Sequence, residues 1–102
     1  MDITLQYFDG CPNWETTSAD LRDLIEEHHL ASESRYQLIE TTESAIELGF
    51  RGSPTVLIDG VDPFADPEAP LGLSCRLYAT PGGLAGSPTR RQLLDALLAA
   101  HR

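Results

Sequence analysis

The chain contains no lysine. All 7 basic residues are arginines, and they face 16 acidic ones, for a formal net charge of −9 over 102 residues. Nucleic acid and anionic bilayers both recruit a basic face, so this balance excludes them as expected partners. No apolar run approaches the roughly 20 residues that cross a bilayer. No basic segment followed by an apolar stretch and a small-residue cleavage site opens the chain, so the expected location is cytoplasmic.

Cysteine is equally scarce, with only Cys11 and Cys75, far apart in sequence. In a reducing compartment two such residues do not read as a disulfide framework, and they are too few for a zinc cage of cysteine type. His28 and His29 are adjacent on a helical stretch and point in different directions, so they are no ligand pair, and His101 reads as a helix-end residue. No internal repeat or compositional break divides the sequence. One domain over 1–102 is expected, with a loop insertion at about 60–74.

What remains is periodicity and punctuation. Ile3, Leu5 and Tyr7 alternate with Thr4 and Gln6, the period of a strand. Asp9-Gly10-Cys11-Pro12 ends it. Pro12 suits the first turn of a helix predicted at about residues 12–30 and carried by Trp14, Leu21, Leu24, Ile25 and His28. A second strand is predicted from Arg35 to Glu40. Thr41 or Thr42 then caps a short helix that Gly49 stops. Thr55-Val56-Leu57-Ile58 reads as a third strand. Val61 to Ser74, rich in proline and acid, reads as a long loop. Cys75 to Ala79 resumes strand character, Pro81-Gly82-Gly83 and Gly86 form a turn region, and Ser87-Pro88 opens a last helix. Leu93, Leu94, Leu97 and Leu98 are that helix's apolar stripe, and His101 and Arg102 suit its carboxyl end.

Three features coincide in this order: Cys11-Pro12 at the start of the first long helix, Gly49-Phe50-Arg51-Gly52-Ser53-Pro54-Thr55-Val56-Leu57 after the second, and Gly82-Gly83 after the last strand. Together they resemble the thioredoxin-like family in its glutaredoxin-sized form. The resemblance implies a β-α-β-α-β-β-α fold, with a four-stranded mixed sheet in the order 2-1-3-4 and helices on both faces. It also implies a cis bond before Pro54, beside a reactive thiol. The chain departs from the family at Trp14, which stands where a second cysteine completes Cys-x-x-Cys, and at Gly10, where the family carries tryptophan. Cys11 is therefore read as a thiol of monothiol type. The Cys-Pro-Asn-Trp and Ser-Cys-Arg-Leu-Tyr segments also look like those of small bacterial thioredoxin-fold proteins, some of which carry an alkylmercury-lyase label. No motif in this chain supports that label.

Cys11 is the candidate nucleophile. It faces the first unpaired N–H groups of the helix, whose partial positive charge favours a thiolate, while Asp9 and Glu15 oppose it. The alternative is a small apolar residue filling a helix start. Cys75 is expected to lie about 13 Å from Pro54 at strand rise, beyond the ~7 Å between Cα atoms that a bridge allows. It therefore reads as a buried structural cysteine, with the missing resolving thiol for Cys11 as the alternative. Trp14 is either a core residue of the first helical turn or, with Pro12, one wall of a substrate groove. The resemblance implies that Pro54 shapes this groove, that the Ser53 and Thr55 backbone bonds an extended partner, and that Gly82 and Gly83 admit a small thiol. A simple turn is the alternative for the glycines. The 61–74 loop is either a lid or partner-binding segment, or a stretch pinned by Phe64 and Leu71.

The expected function is a monothiol thioredoxin-like protein that forms or exchanges mixed disulfides through Cys11. Its partner would be a protein thiol or disulfide, or a low-molecular-weight thiol such as glutathione or mycothiol, with no metal and no other cofactor. The alternatives are a non-catalytic adaptor that keeps the groove, and soft-metal or organomercurial handling by Cys11, a two-thiol site with Cys75 falling on the same distance argument.

Overall fold

Strand β1 (Asp2–Tyr7) is paired along both edges and forms the axis of the sheet. Its alternation buries Ile3 and Leu5 on one face. Strand β2 (Glu33–Leu38) runs parallel along one edge, with Ile3 opposite Ser34 and Tyr7 opposite Leu38. Strand β3 (Thr55–Ile58) runs antiparallel along the other, with Ile3 opposite Ile58 and Gln6 opposite Thr55. A parallel neighbour requires a crossover, and helix α1 (Asn13–Glu27) supplies it. Helix α2 (Thr42–Leu48) follows β2. The Thr41 side chain accepts the Ser44 N–H at its start, and left-handed Gly49, φ 69°, ends it. After the long 59–77 segment come a hairpin of β4 (Tyr78–Thr80) and β5 (Gly83–Ala85), then helix α3 (Arg90–Ala100). This computed structural model describes residues 1–101, and the sequence reading of Arg102 lies outside the described residues.

The mixed α/β architecture agrees with the sequence, as does the strand order β2-β1-β3. The four-stranded sheet does not form. Strand β4 pairs only with β5, in a separate two-stranded sheet. The returning chain meets the β3 side at a single isolated bridge, where Cys75 runs parallel to Ser53. Pro54 has no N–H with which to continue that ladder. Several local boundaries also differ: β2 spans Glu33–Leu38 rather than Arg35 to Glu40, and α1 ends at Glu27 rather than near residue 30. The fourth strand begins at Tyr78 rather than Cys75, and α3 is started by Thr89 rather than by Ser87-Pro88. Thr89 and Gln92 form a capping box, each side chain accepting the other's backbone N–H. Strand β5 was not anticipated, because Gly83-Leu84-Ala85 carries no β-branched residue.

The main core joins Ile3 and Leu5 of β1, Val56 and Ile58 of β3, Leu21 and Leu24 of α1, and Leu93 and Leu97 of α3. A smaller cluster of Ile39, Ala45 and Phe50 packs against Phe8 and Leu73, which ties down the end of the 61–74 loop. Among the described residues no helix is long and apolar enough to cross a membrane.

Leu97 is fully buried, whereas Leu98 on the same helix is 42% exposed. Leu97→Ala should lower unfolding free energy by about 2–5 kcal/mol in urea titrations, combining lost burial with a residual cavity. Leu98→Ala should cost no more than about 0.5 kcal/mol.

Candidate active site

Helix α1 begins without a side-chain cap. Pro12 holds its N-cap position and no side chain bonds the first-turn N–H groups, whereas Thr41 and Thr89 cap the other two helices. Cys11 immediately precedes this open end and is fully buried. Its Sγ lies 3.5 Å from Asn13 Nδ2 and 3.6 Å from the Ser53 carbonyl oxygen. Sequence and structure thus agree that Cys11 sits between the α1 terminus and the Ser53-Pro54 segment, whose peptide bond is cis.

The partner of Cys11 differs from expectation. Cys11 and Cys75 are joined in a disulfide with Cα atoms 5.7 Å apart, and Cys75 is exposed rather than buried. The expected separation assumed that residue 75 lay back along a strand extending the sheet. Instead, Ser74-Cys75-Arg76 crosses directly over Ser53. Ser53 N–H donates to the Ser74 carbonyl at 2.8 Å, and Arg76 N–H donates to the Ser53 carbonyl at 3.0 Å. Glycine makes this approach possible. Gly52 has φ 120°, and a Cβ there would stand 3.0 Å from Arg76 Cβ and 3.1 Å from Arg76 Cα.

Arg76, a residue the sequence reading passed over, anchors the crossing. Its buried guanidinium bonds Asp62 Oδ2 at 2.6 Å and Thr55 Oγ1 at 3.3 Å, donates to the Phe64 carbonyl, and lies 4.5 Å over the Tyr78 ring. One cation thereby gathers the 61–64 part of the loop, β3 and the start of β4. The only advance signal was an arginine set within the otherwise apolar Cys75–Ala79 run. Asn13 was also missed, hidden between the more conspicuous Pro12 and Trp14.

The other anticipated residues divide into three groups. Ser53, Pro54 and Thr55 are all buried. The Ser53 backbone is used by Ser74 and Arg76, and Thr55 lies in the β1–β3 ladder, so neither offers free groups to an extended partner. Pro12 is exposed. Trp14 is half-buried, stacked 4.4 Å from Tyr7 and edge-on to Tyr36, and with Glu15 and Arg22 it walls a cleft of about 450 Å³. That cleft is separate from a groove of about 630 Å³ lined by Cys75, Arg51, Phe64, Pro70, Tyr78 and Leu84. Gly82 and Gly83 are exposed at the β4–β5 turn and line neither. Gly86 is the glycine that approaches the site, since a Cβ there would stand 2.2 Å from Asn13 Nδ2. Among the described residues no group of three or more His, Cys, Asp or Glu side chains is arranged to hold a metal.

No family model, curated protein or solved structure matches this chain.

Gly52→Ala should strain a positive φ and press on the Arg76 backbone, costing about 1–3 kcal/mol. Its urea midpoint should fall, and the Cys11–Cys75 bond should re-form more slowly from the reduced protein than in wild type. Burial pushes the Tyr78 phenol well above its ordinary range, with Asp62 adding to the effect and Arg76 opposing it. The folded protein keeps a proton that the unfolded chain releases near a pH of about 10, so this group contributes nothing to pH dependence below that point and lowers stability above it. Ultraviolet titration of tyrosinate should show one late-ionising phenol, and Tyr78→Phe should remove it.

Proposed function

We propose that this chain carries out thiol–disulfide exchange through the Cys11–Cys75 pair, cycling between a disulfide and two thiols. The observation behind this reading is the placement of the pair, with one sulfur at the uncapped start of α1 beside the Asn13 amide and the other exposed in a groove. Reactive cysteines occupy such electropositive and partly exposed surroundings, whereas structural ones are sealed and inert. In a cytoplasmic setting disulfides are usually transient and catalytic or redox-sensing, which favours the same reading.

The thioredoxin-like reading is retained within this proposal, supported by the β2-β1-β3 order and by Cys11 lying against the Ser53-Pro54 segment. The monothiol part is revised, because Cys75 supplies the second thiol that Trp14 displaces from the Cys-x-x-Cys spacing. Partners are then protein disulfides and thiols, or a small thiol. The adaptor alternative loses its docking edge, since the Ser53 backbone is already bonded to Ser74 and Arg76. Soft-metal handling requires the pair to be reduced first.

The test is equilibration in graded glutathione buffers, quenching by alkylation and intact mass measurement. Native protein should interconvert between the oxidised and doubly alkylated forms as the buffer ratio changes. It should also accelerate dithiothreitol-driven reduction of disulfide-bonded insulin, and Cys11→Ser and Cys75→Ser should each abolish that acceleration. A bond that resists every native buffer and yields only in denaturant would be a structural staple, and the proposal would fall.

A further inference from the structure

The two sulfurs of this pair are not equivalent. Cys11 has 0% of its surface exposed and is enclosed by Asn13 and Ser53, whereas Cys75 is exposed and lines the open groove beside Arg51, Phe64 and Leu84. An incoming thiolate must approach one sulfur of a disulfide while the other departs, and access decides which is attacked. We propose that Cys75 is the cysteine that meets the substrate, and that Cys11 is the buried partner expelled in one direction and resolving in the other. This rests on the exchange reading above and reverses the role that the sequence assigns to Cys11.

In the oxidising direction a substrate thiolate attacks Cys75 Sγ. A bond forms between the substrate sulfur and Cys75, the Cys11–Cys75 bond breaks, and its electron pair goes to Cys11 Sγ. The departing thiolate lies 3.5 Å from the Asn13 amide, a donor that stabilises negative charge, and just before the uncapped start of α1, which favours it too, while the Ser53 carbonyl oxygen at 3.6 Å opposes them. A better-stabilised thiolate leaves faster. The substrate's second thiolate then attacks its own sulfur in the mixed disulfide, forming the substrate disulfide and releasing Cys75 as a thiolate. The substrate dithiol has lost two electrons and the cysteine pair has gained them. Protons from the substrate thiols pass to Cys11 and Cys75 or to water.

The reverse direction must retrace this path. The Cys75 thiolate attacks a substrate disulfide and expels one substrate thiolate, and Cys11 then attacks Cys75 Sγ to release the other. The outward cysteine is thus carried by the Ser74–Arg76 crossing, and the helix terminus serves the inward one. Asn13 acts as a positioning residue for the Cys11 thiolate, at a site where Gly86 leaves room for its amide.

The experiment uses reduced wild-type protein and dithiobis-nitrobenzoate, a small aromatic disulfide. Thionitrobenzoate release is followed by stopped flow, and the first mixed adduct is acid-quenched and located by peptide mapping. The expected result is two equivalents released per chain, with the transient adduct on Cys75 and an end product that carries the Cys11–Cys75 disulfide and no adduct. In the single-cysteine variants, Cys11→Ser should form a stable adduct at near the wild-type initial rate, and Cys75→Ser should react at least about tenfold more slowly, since reactivity follows access. Two equivalents with the adduct on Cys11 would overturn the assignment of roles while leaving exchange intact. Release of fewer than two equivalents from wild type, or of two that leave an adduct on each cysteine, would overturn the exchange reading itself. Because the mapping uses the native pair, the result does not depend on how either variant folds.

Discussion

Ser74-Cys75-Arg76 passes so closely over Gly52-Ser53 that a Cβ at Gly52 would press on the Arg76 backbone, and most of the site depends on this contact. It brings Cys75 onto Cys11, occupies the Ser53 backbone, and sends the chain away from β3 before a fourth sheet strand can pair. Two backbone hydrogen bonds alone would hold it weakly, at about 1 kcal/mol each. The covalent bond and the Arg76 cluster supply the rest. Arg76 is buried and Asp62 largely so, and taking either partner away would strand a charge at a cost of about 3–5 kcal/mol. The loop that carries Asp62 is thereby part of the site's framework, although it has little regular structure of its own.

Much of the fold was legible from short-range signals. The alternation in β1, the β-branched run of β3, the Thr41 cap and the Gly49 stop are each decided by residues within a few positions of one another, and each was found where expected. The position of Cys11 was legible for the same reason. Cys75 was not, because its place depends on where a loop of more than a dozen residues lands. An antiparallel fourth strand would keep the two cysteines apart, and the chain instead meets Ser53 in the parallel sense. The anchors that decide this, Arg76 with Asp62 and Tyr78 with Pro54, are long-range contacts between residues that look ordinary in sequence.

The same bond that is proposed to do chemistry also constrains the chain. It closes a loop with a sequence separation of 64, which in the chain-entropy account destabilises the unfolded state by about 4 kcal/mol. Reduction therefore gives up a substantial share of a stability that for domains of this size totals about 5–15 kcal/mol. The main core does not contain either cysteine, so burial of Ile3, Leu24, Val56 and Leu97 continues to hold β1, α1, β3 and α3 together in either redox state.

When oxidised, the polypeptide is a covalent ring with two tails. The ring runs from residue 11 to 75 and holds α1, β2, α2 and β3, while β1 is one tail and the β4–β5 hairpin with α3 is the other. The strand at the centre of the sheet is thus outside the ring that surrounds it. A single backbone cut anywhere between residues 12 and 74 would release no fragment from the oxidised molecule, because each piece would stay attached through the two sulfurs. Reduction would turn the same cut into two separate chains.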